Sequence, residues 1–231
     1  MTITLITGAN KGLGYETARQ LVALGHTVYA GARDPERGQA AADQLGATFI
    51  QLDVTDQASV EAAAKTIQEI EGHLDVLVNN AGVQGGMPSP AELTADRLQA
   101  VYDVNVFGLV RVTQAFLPLL EASTSPVIVN IGSSLGSSTI VTDPARMESS
   151  LTLLDYASSK AAVIMLTVQY AKALPHLRIN VVEPGYTATD LNDNRGHQTV
   201  EEGTEIIVKM ATVGPEGPTG TYQDRNGTLP W

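Results

Sequence analysis

Tyr156 and Lys160 lie four residues apart in a stretch of helical character, Asp155–Ala173, so their side chains share one helix face. A free phenol ionises only near a pKa of about 10 and is a poor base at neutral pH. A nearby ammonium favours the phenolate and lowers that value. Tyr156 can then pass a proton to or from the oxygen of a bound molecule. A hydroxyl able to orient such an oxygen closes the run Val129-Asn130-Ile131-Gly132-Ser133. Ser133 and the adjacent Ser134 are both candidates. Taken singly, each signal is weak, because Tyr-x-x-x-Lys is common on solvated helices and serine-rich loops are ordinarily turns. Asn105, polar among Val104, Val106 and Phe107, needs buried partners if its helix packs inward.

The elements that must position these groups begin with Thr2–Gly14, TITLITGANKGLG. Beta-branched and apolar residues give a short buried strand. A turn follows through Gly8, Asn10, Lys11, Gly12, Leu13 and Gly14, and a helix is expected over Tyr15–Leu24. The glycines admit close backbone approach, and the helix start offers unpaired N–H groups and a positive dipole end. A dinucleotide pyrophosphate is the expected guest.

Further strands are expected at Thr27–Gly31, Ala47–Leu52, Leu74–Asn79, Pro126–Ile131 and Arg178–Val182, with a last short one near Gly220–Tyr222. Helices are expected at Pro35–Leu45, Gln57–Glu69, Asp96–Leu120 and Asp155–Ala173. This alternation predicts one domain over residues 1–231, an α/β, doubly wound, mostly parallel sheet of the Rossmann kind with helices on both faces. Right-handed crossovers bring every strand carboxyl end to one edge, where ligands bind. On that edge lie Arg33, then Asp53 and Val54, then Asn80, Ala81 and Gly82, and finally Pro184, Gly185, Thr187 and Thr189. Asp34 precedes Pro35 and reads as a helix cap. Arg33 and Lys11 together favour a phosphate, and so NADP(H) over NAD(H). Asp53 can accept from an adenine amino group with Val54 against the ring. A short polar substrate lid is expected over residues 190–210.

These motifs in this order, TGANKGLG, Asn80-Ala81-Gly82, Asn105, Ser133 and Tyr156-x-x-x-Lys160, resemble the short-chain dehydrogenase/reductase family along essentially the whole chain. The resemblance implies a catalytic tetrad of Asn105, Ser133, Tyr156 and Lys160. Asn105 would hold a water in a proton relay to Lys160. Thr187 or Thr189 would reach the cofactor phosphates and carboxamide, and Tyr156 and Lys160 would also contact the cofactor. Asn10-Lys11 and the 23-residue spacing from Ser133 to Tyr156 (156 − 133) are most like the NADPH-dependent carbonyl reductases. The implied reaction is reduction of an aldehyde or ketone to an alcohol. An NAD-linked alcohol dehydrogenase and a non-catalytic NADP-binding regulator are the alternatives. A homodimer or homotetramer is implied, with the extension before Tyr156 leaving a monomer open.

Composition bounds the rest. The 231 residues are 43% hydrophobic and 17% charged, with net charge −11, which describes a globular chain. Nucleic acid is not an expected partner, since its phosphates demand clustered cations. The chain has no cysteine, so disulfides and thiolate chemistry are excluded. His26, His73, His176 and His197 show no ligand spacing, and no metal is expected. No apolar run reads as a membrane span, no leader is evident, and a cytoplasmic protein acting on small molecules is the expectation.

Overall fold

The computed structural model describes residues 1–231, and its eight strands form one sheet in the order β3-β2-β1-β4-β5-β6-β7-β8. The strands are β1 (Ile3–Thr7), β2 (Thr27–Ala32), β3 (Thr48–Gln51), β4 (Val76–Asn79), β5 (Val127–Ile131), β6 (Arg178–Val182), β7 (Tyr222–Asp224) and β8 (Gly227–Thr228). All neighbours pair in parallel except β7 with β8. The first six follow the dinucleotide-binding order, which reverses between β1 and β4. β1, β4 and β5 are buried along their full lengths, as strands covered by helices on both faces must be.

The helices are α1 (Gly12–Ala23), α2 (Pro35–Leu45), α3 (Gln57–Ile70), α4 (Ala95–Tyr102), α5 (Leu109–Glu121), α6 (Ser138–Thr142), α7 (Leu154–Ala173) and α8 (Val200–Ala211). Two apolar cores fill the space between sheet and helices. One joins Leu5, Leu77 and Ile128 to Val60 and Ile67 of α3 and Phe116 of α5. The other joins Ile6, Val78 and Val129 to Leu21 of α1 and Ile206, Ile207 and Met210 of α8.

Three expectations change here. The helix expected over Asp96–Leu120 is interrupted by a π-helical turn at Asp103–Gly108, a feature frequent at functional sites. The continuous stretch Ala95–Glu121 is also long and apolar enough, by length and composition, to cross a membrane, but half of its apolar window is buried. The lid expected over residues 190–210 divides. Asp190–Asn192 is a short 3-10 turn on the edge, whereas α8 buries its apolar face in the core. Sequence polarity at Glu201, Glu202 and Glu205 had masked that face, because the outer side of an amphipathic helix is polar.

Candidate active site

The glycine turn is shaped for a ligand close to backbone. Gly8 and Gly12 adopt φ of +66° and +57°, which L side chains rarely take. A Cβ on Gly14 would lie 2.5 Å from both the Gly8 carbonyl and Asn80 Nδ2. α2 and α3 are capped by the side chains of Asp34 and Asp56, which accept from the backbone N–H groups of Arg37 and Ala58. α1 starts at Lys11 with no side-chain cap and no acid in its first turn. Its first N–H groups are therefore left for an anion. The turn is braced from the adjacent strand, as Asn80 Nδ2 donates to the carbonyls of Thr7 (2.8 Å) and Gly8 (3.1 Å). The Thr7 hydroxyl accepts from the amides of Asn80 and Ala81. Asn80 thus acts on the turn as a strut, and Thr7 is a partner that sequence reading missed.

The nucleotide side of the edge is open. β2 runs through Ala32, so exposed Arg33 comes directly after the strand. No side chain pairs with it, while Asp34 is committed to the cap and to an ion pair with Arg37. Lys11 differs from expectation. Its ammonium meets Asp190 of the 3-10 turn at 2.9 Å, both groups being exposed. Thr189 lies over the same turn, its Cγ2 being 3.6 Å from where a Gly12 Cβ would stand. Asp53 accepts from the Thr55 amide and hydroxyl through Oδ1. Val54, expected against the adenine ring, is buried in the core, where it lies against Gly108. Asn10 and Leu13 sit half-buried in the turn, and Gly82 is exposed.

On the other side, Ser133, Tyr156 and Lys160 come together beneath the end of β5. Lys160 is 5% exposed, and its Nζ donates to the Ile131 carbonyl at 2.8 Å and lies 5.6 Å from the Tyr156 ring centroid. Gly136 permits α7 to approach, since a Cβ there would lie 2.6 Å from the Lys160 carbonyl carbon. Burial brings the Lys160 ammonium down to about 8, opposed by the charge of Glu183. Tyr156 moves opposite to the sequence expectation. Burial pushes the phenol up, the Glu183 charge adds to the rise, and the Ser133 hydroxyl opposes it. Removal of water is the largest influence on the phenol, although the residue as a whole is half-buried. Ser133, and not Ser134, is the serine that acts on the phenol, and its hydroxyl accepts from the Leu135 amide.

Asn105 is buried in the π-helical turn, and both ends of its side chain are engaged. Oδ1 accepts from the Val83 amide (2.8 Å), and Nδ2 donates to the Val83 carbonyl (2.9 Å) and the Ser159 hydroxyl (3.0 Å). It ties the loop after β4 to α7, with both Nδ2 hydrogens taken. A cavity of about 10 Å³ lies beside it, lined in part by Asn105, Ala81, Ile131 and Lys160; about one water fits such a space. Below the site, Asn79 Nδ2 donates to Thr113 and Asn130, and Asn130 Nδ2 donates to Thr167, so the floor is a hydrogen-bonded network.

At the end of β6, Gly185 takes φ +82° and Pro184 is buried. The Thr187 hydroxyl donates inward to the carbonyls of Pro184 and Gly185. Sequence reading missed Glu183 just before this turn, although an acid at a strand's carboxyl end was the signal used for Asp53.

A doubly wound sheet with an uncapped glycine-turn helix at its switch point, and a hydroxyl, phenol and ammonium on the same edge, is the architecture of a dinucleotide-binding oxidoreductase fold. The sequence matches the short chain dehydrogenase family over residues 2–200, and the protein belongs to that family. It is 32% identical to (+)-neomenthol dehydrogenase of Capsicum annuum, covering 94% of each chain. It is 38% identical to a short-chain dehydrogenase of Penicillium roqueforti, over 98% of this chain and 95% of that one. Among solved structures, it superposes on NADPH-bound carbonyl reductase from chicken fatty liver with a TM-score of 0.87, at 28% identity and full coverage of both chains. Salutaridine reductase from Papaver somniferum gives 0.84, at 29% identity, over 96% of this chain and 99% of that one.

Proposed function

We propose that this protein reduces an aldehyde or ketone to an alcohol with NADPH. The observation that carries the reading is the buried Lys160 held against Ile131 beneath the Tyr156 ring, with Ser133 on the phenol. The residues that would hold the cofactor are the glycine turn and the first N–H groups of α1 for the pyrophosphate, Arg33 for the 2′-phosphate, and the Pro184-Gly185 turn for the carboxamide end. When bound, the cofactor supplies hydride. Ser133 holds the substrate oxygen by a hydrogen bond, and Tyr156 gives that oxygen its proton. A phenol kept protonated by burial suits a donor, and Lys160 stabilises the phenolate left behind. Asn105 keeps the loop after β4 and α7 in register around these groups. The unpaired Arg33 beside a committed Asp34 supports the phosphate-bearing cofactor.

The test is NADPH consumption against a panel of carbonyl compounds. Tyr156→Phe should lose about a hundredfold or more in kcat, the scale of a removed general acid, with its thermal midpoint little changed. An undiminished rate in that variant ends the mechanism.

A further inference from the structure

The buried ionisable groups that the reduction leaves unused converge on Glu183. It follows β6 directly, and its backbone N–H donates to Gln223 of β7 at 2.8 Å. Val181 pairs with Tyr222 in parallel register, so Glu183, two residues on, shares a sheet face with that ring. Glu183 Oε1 accepts from the Gly185 amide at 3.0 Å, and the Ser134 amide also binds the carboxylate. The residue as a whole is only partly buried, yet Oε2 is enclosed and has no partner, and the same is true of the Tyr222 hydroxyl.

Gly132 makes this arrangement possible. A Cβ there would lie 2.6 Å from Val181 Cγ2 and 3.6 Å from the Tyr222 ring. The charges facing the carboxyl come from three sides. α7 contributes Tyr156 and Lys160: Val182, directly before Glu183, pairs with Ile131, whose carbonyl holds Lys160 Nζ at 2.8 Å, and the Val182 carbonyl accepts from the Gly132 amide beside Ser133. The 3-10 turn Met147–Ser150 contributes Glu148, itself paired with Arg146 at 2.9 Å. β7 contributes Tyr222, which also feels Asp224.

We propose that Glu183 is a positioning residue for the reduction, a walled-in carboxyl group beside Tyr156 that sets the charge of the site and keeps the phenol in its proton-donating form. The inference rests on the reading of Tyr156 as the donor. An anion here opposes loss of the Tyr156 proton and supports the Lys160 ammonium. Burial pushes the carboxyl itself up to about 7, so its hold on Tyr156 relaxes as the pH falls through neutrality.

Two measurements test this. In cofactor-free protein, the infrared band of a protonated carboxyl should disappear with a midpoint near 7 in wild type, and that transition should be missing from Glu183→Gln. In turnover, reduction needs the phenol and alcohol oxidation needs the phenolate. Removing the negative neighbour should therefore move the pH midpoint of both down by roughly one unit, and Glu183→Asp should retain the wild-type midpoint. Superimposable pH profiles for wild type and Glu183→Gln, or a wild-type carboxyl band that does not titrate near neutrality, would overturn the proposal. The infrared titration of wild type does not depend on any variant folding. Full activity of Tyr156→Phe is a separate result, and it would strike the reading of the donor and not Glu183's ionisation.

Discussion

Between β1 and β3 the carboxyl edge offers bare backbone and exposed charge: an uncapped α1, the turn at Gly8 and Gly12, and Arg33 without a partner. Between β4 and β6 it offers more enclosed groups, with Lys160 held on a carbonyl, both ends of the Asn105 side chain hydrogen-bonded, and the Glu183 charge acting on Tyr156. The first region can recognise a phosphate by geometry and open charge, where water screens the interaction. The second can shift proton affinities, because low polarity makes a neighbouring charge count. On the proposed function, recognition and proton transfer are thus separated by burial on one continuous edge.

That contrast can be broken from either side. The largest effect should come from Tyr156→Phe in the enclosed half, as set out above. In the open half, Gly14→Ala should be most severe. Its Cβ would meet the Gly8 carbonyl and Asn80 at 2.5 Å, neither of which can withdraw without distorting the turn. A loss of about 2 kcal/mol in stability is expected, read by denaturant unfolding, together with weaker NADPH binding by calorimetry. An unchanged variant would mean that the turn is looser than described.

Arg33→Ala should sharpen the comparison without disturbing the fold. The KM for NADPH should rise about tenfold, in line with the loss of a charge-assisted hydrogen bond, while the KM for NADH stays near its starting value. Equal changes for both cofactors would remove Arg33 from phosphate recognition. The smallest effect belongs to the Lys11–Asp190 pair. Both partners are more than half exposed, so Asp190→Asn should leave the melting temperature unaltered. It should tighten NADPH by about twofold by freeing the Lys11 ammonium, and the gain should fade with added salt. Weaker binding would show instead that the pair closes over the cofactor.

The order of strands and helices was legible because each element carries its own period and punctuation. Asp34-Pro35 reads as a cap, and Asp34 caps α2. The Ser133, Tyr156 and Lys160 cluster was legible because the helix period fixes Tyr156 and Lys160 on one face and the strand end fixes Ser133. The π-helical turn around Asn105 was not, because a helical apolar pattern does not record one extra residue in a turn. Nor was the division of the lid, since α8 enters the core through tertiary packing against α1, β4, β5 and β6.

By itself the sequence determined which residues lie on the ligand edge, because chain direction and the right-handed crossover leave little freedom there. The direction in which Tyr156 is tuned was decided only in three dimensions. Proton affinity depends on how much water is removed and on which charges remain nearby, and Glu183 is 27 residues away along the chain (183 − 156). β6 carries that carboxyl to the same sheet edge, where its charge acts on the phenol, and local spacing holds no trace of it.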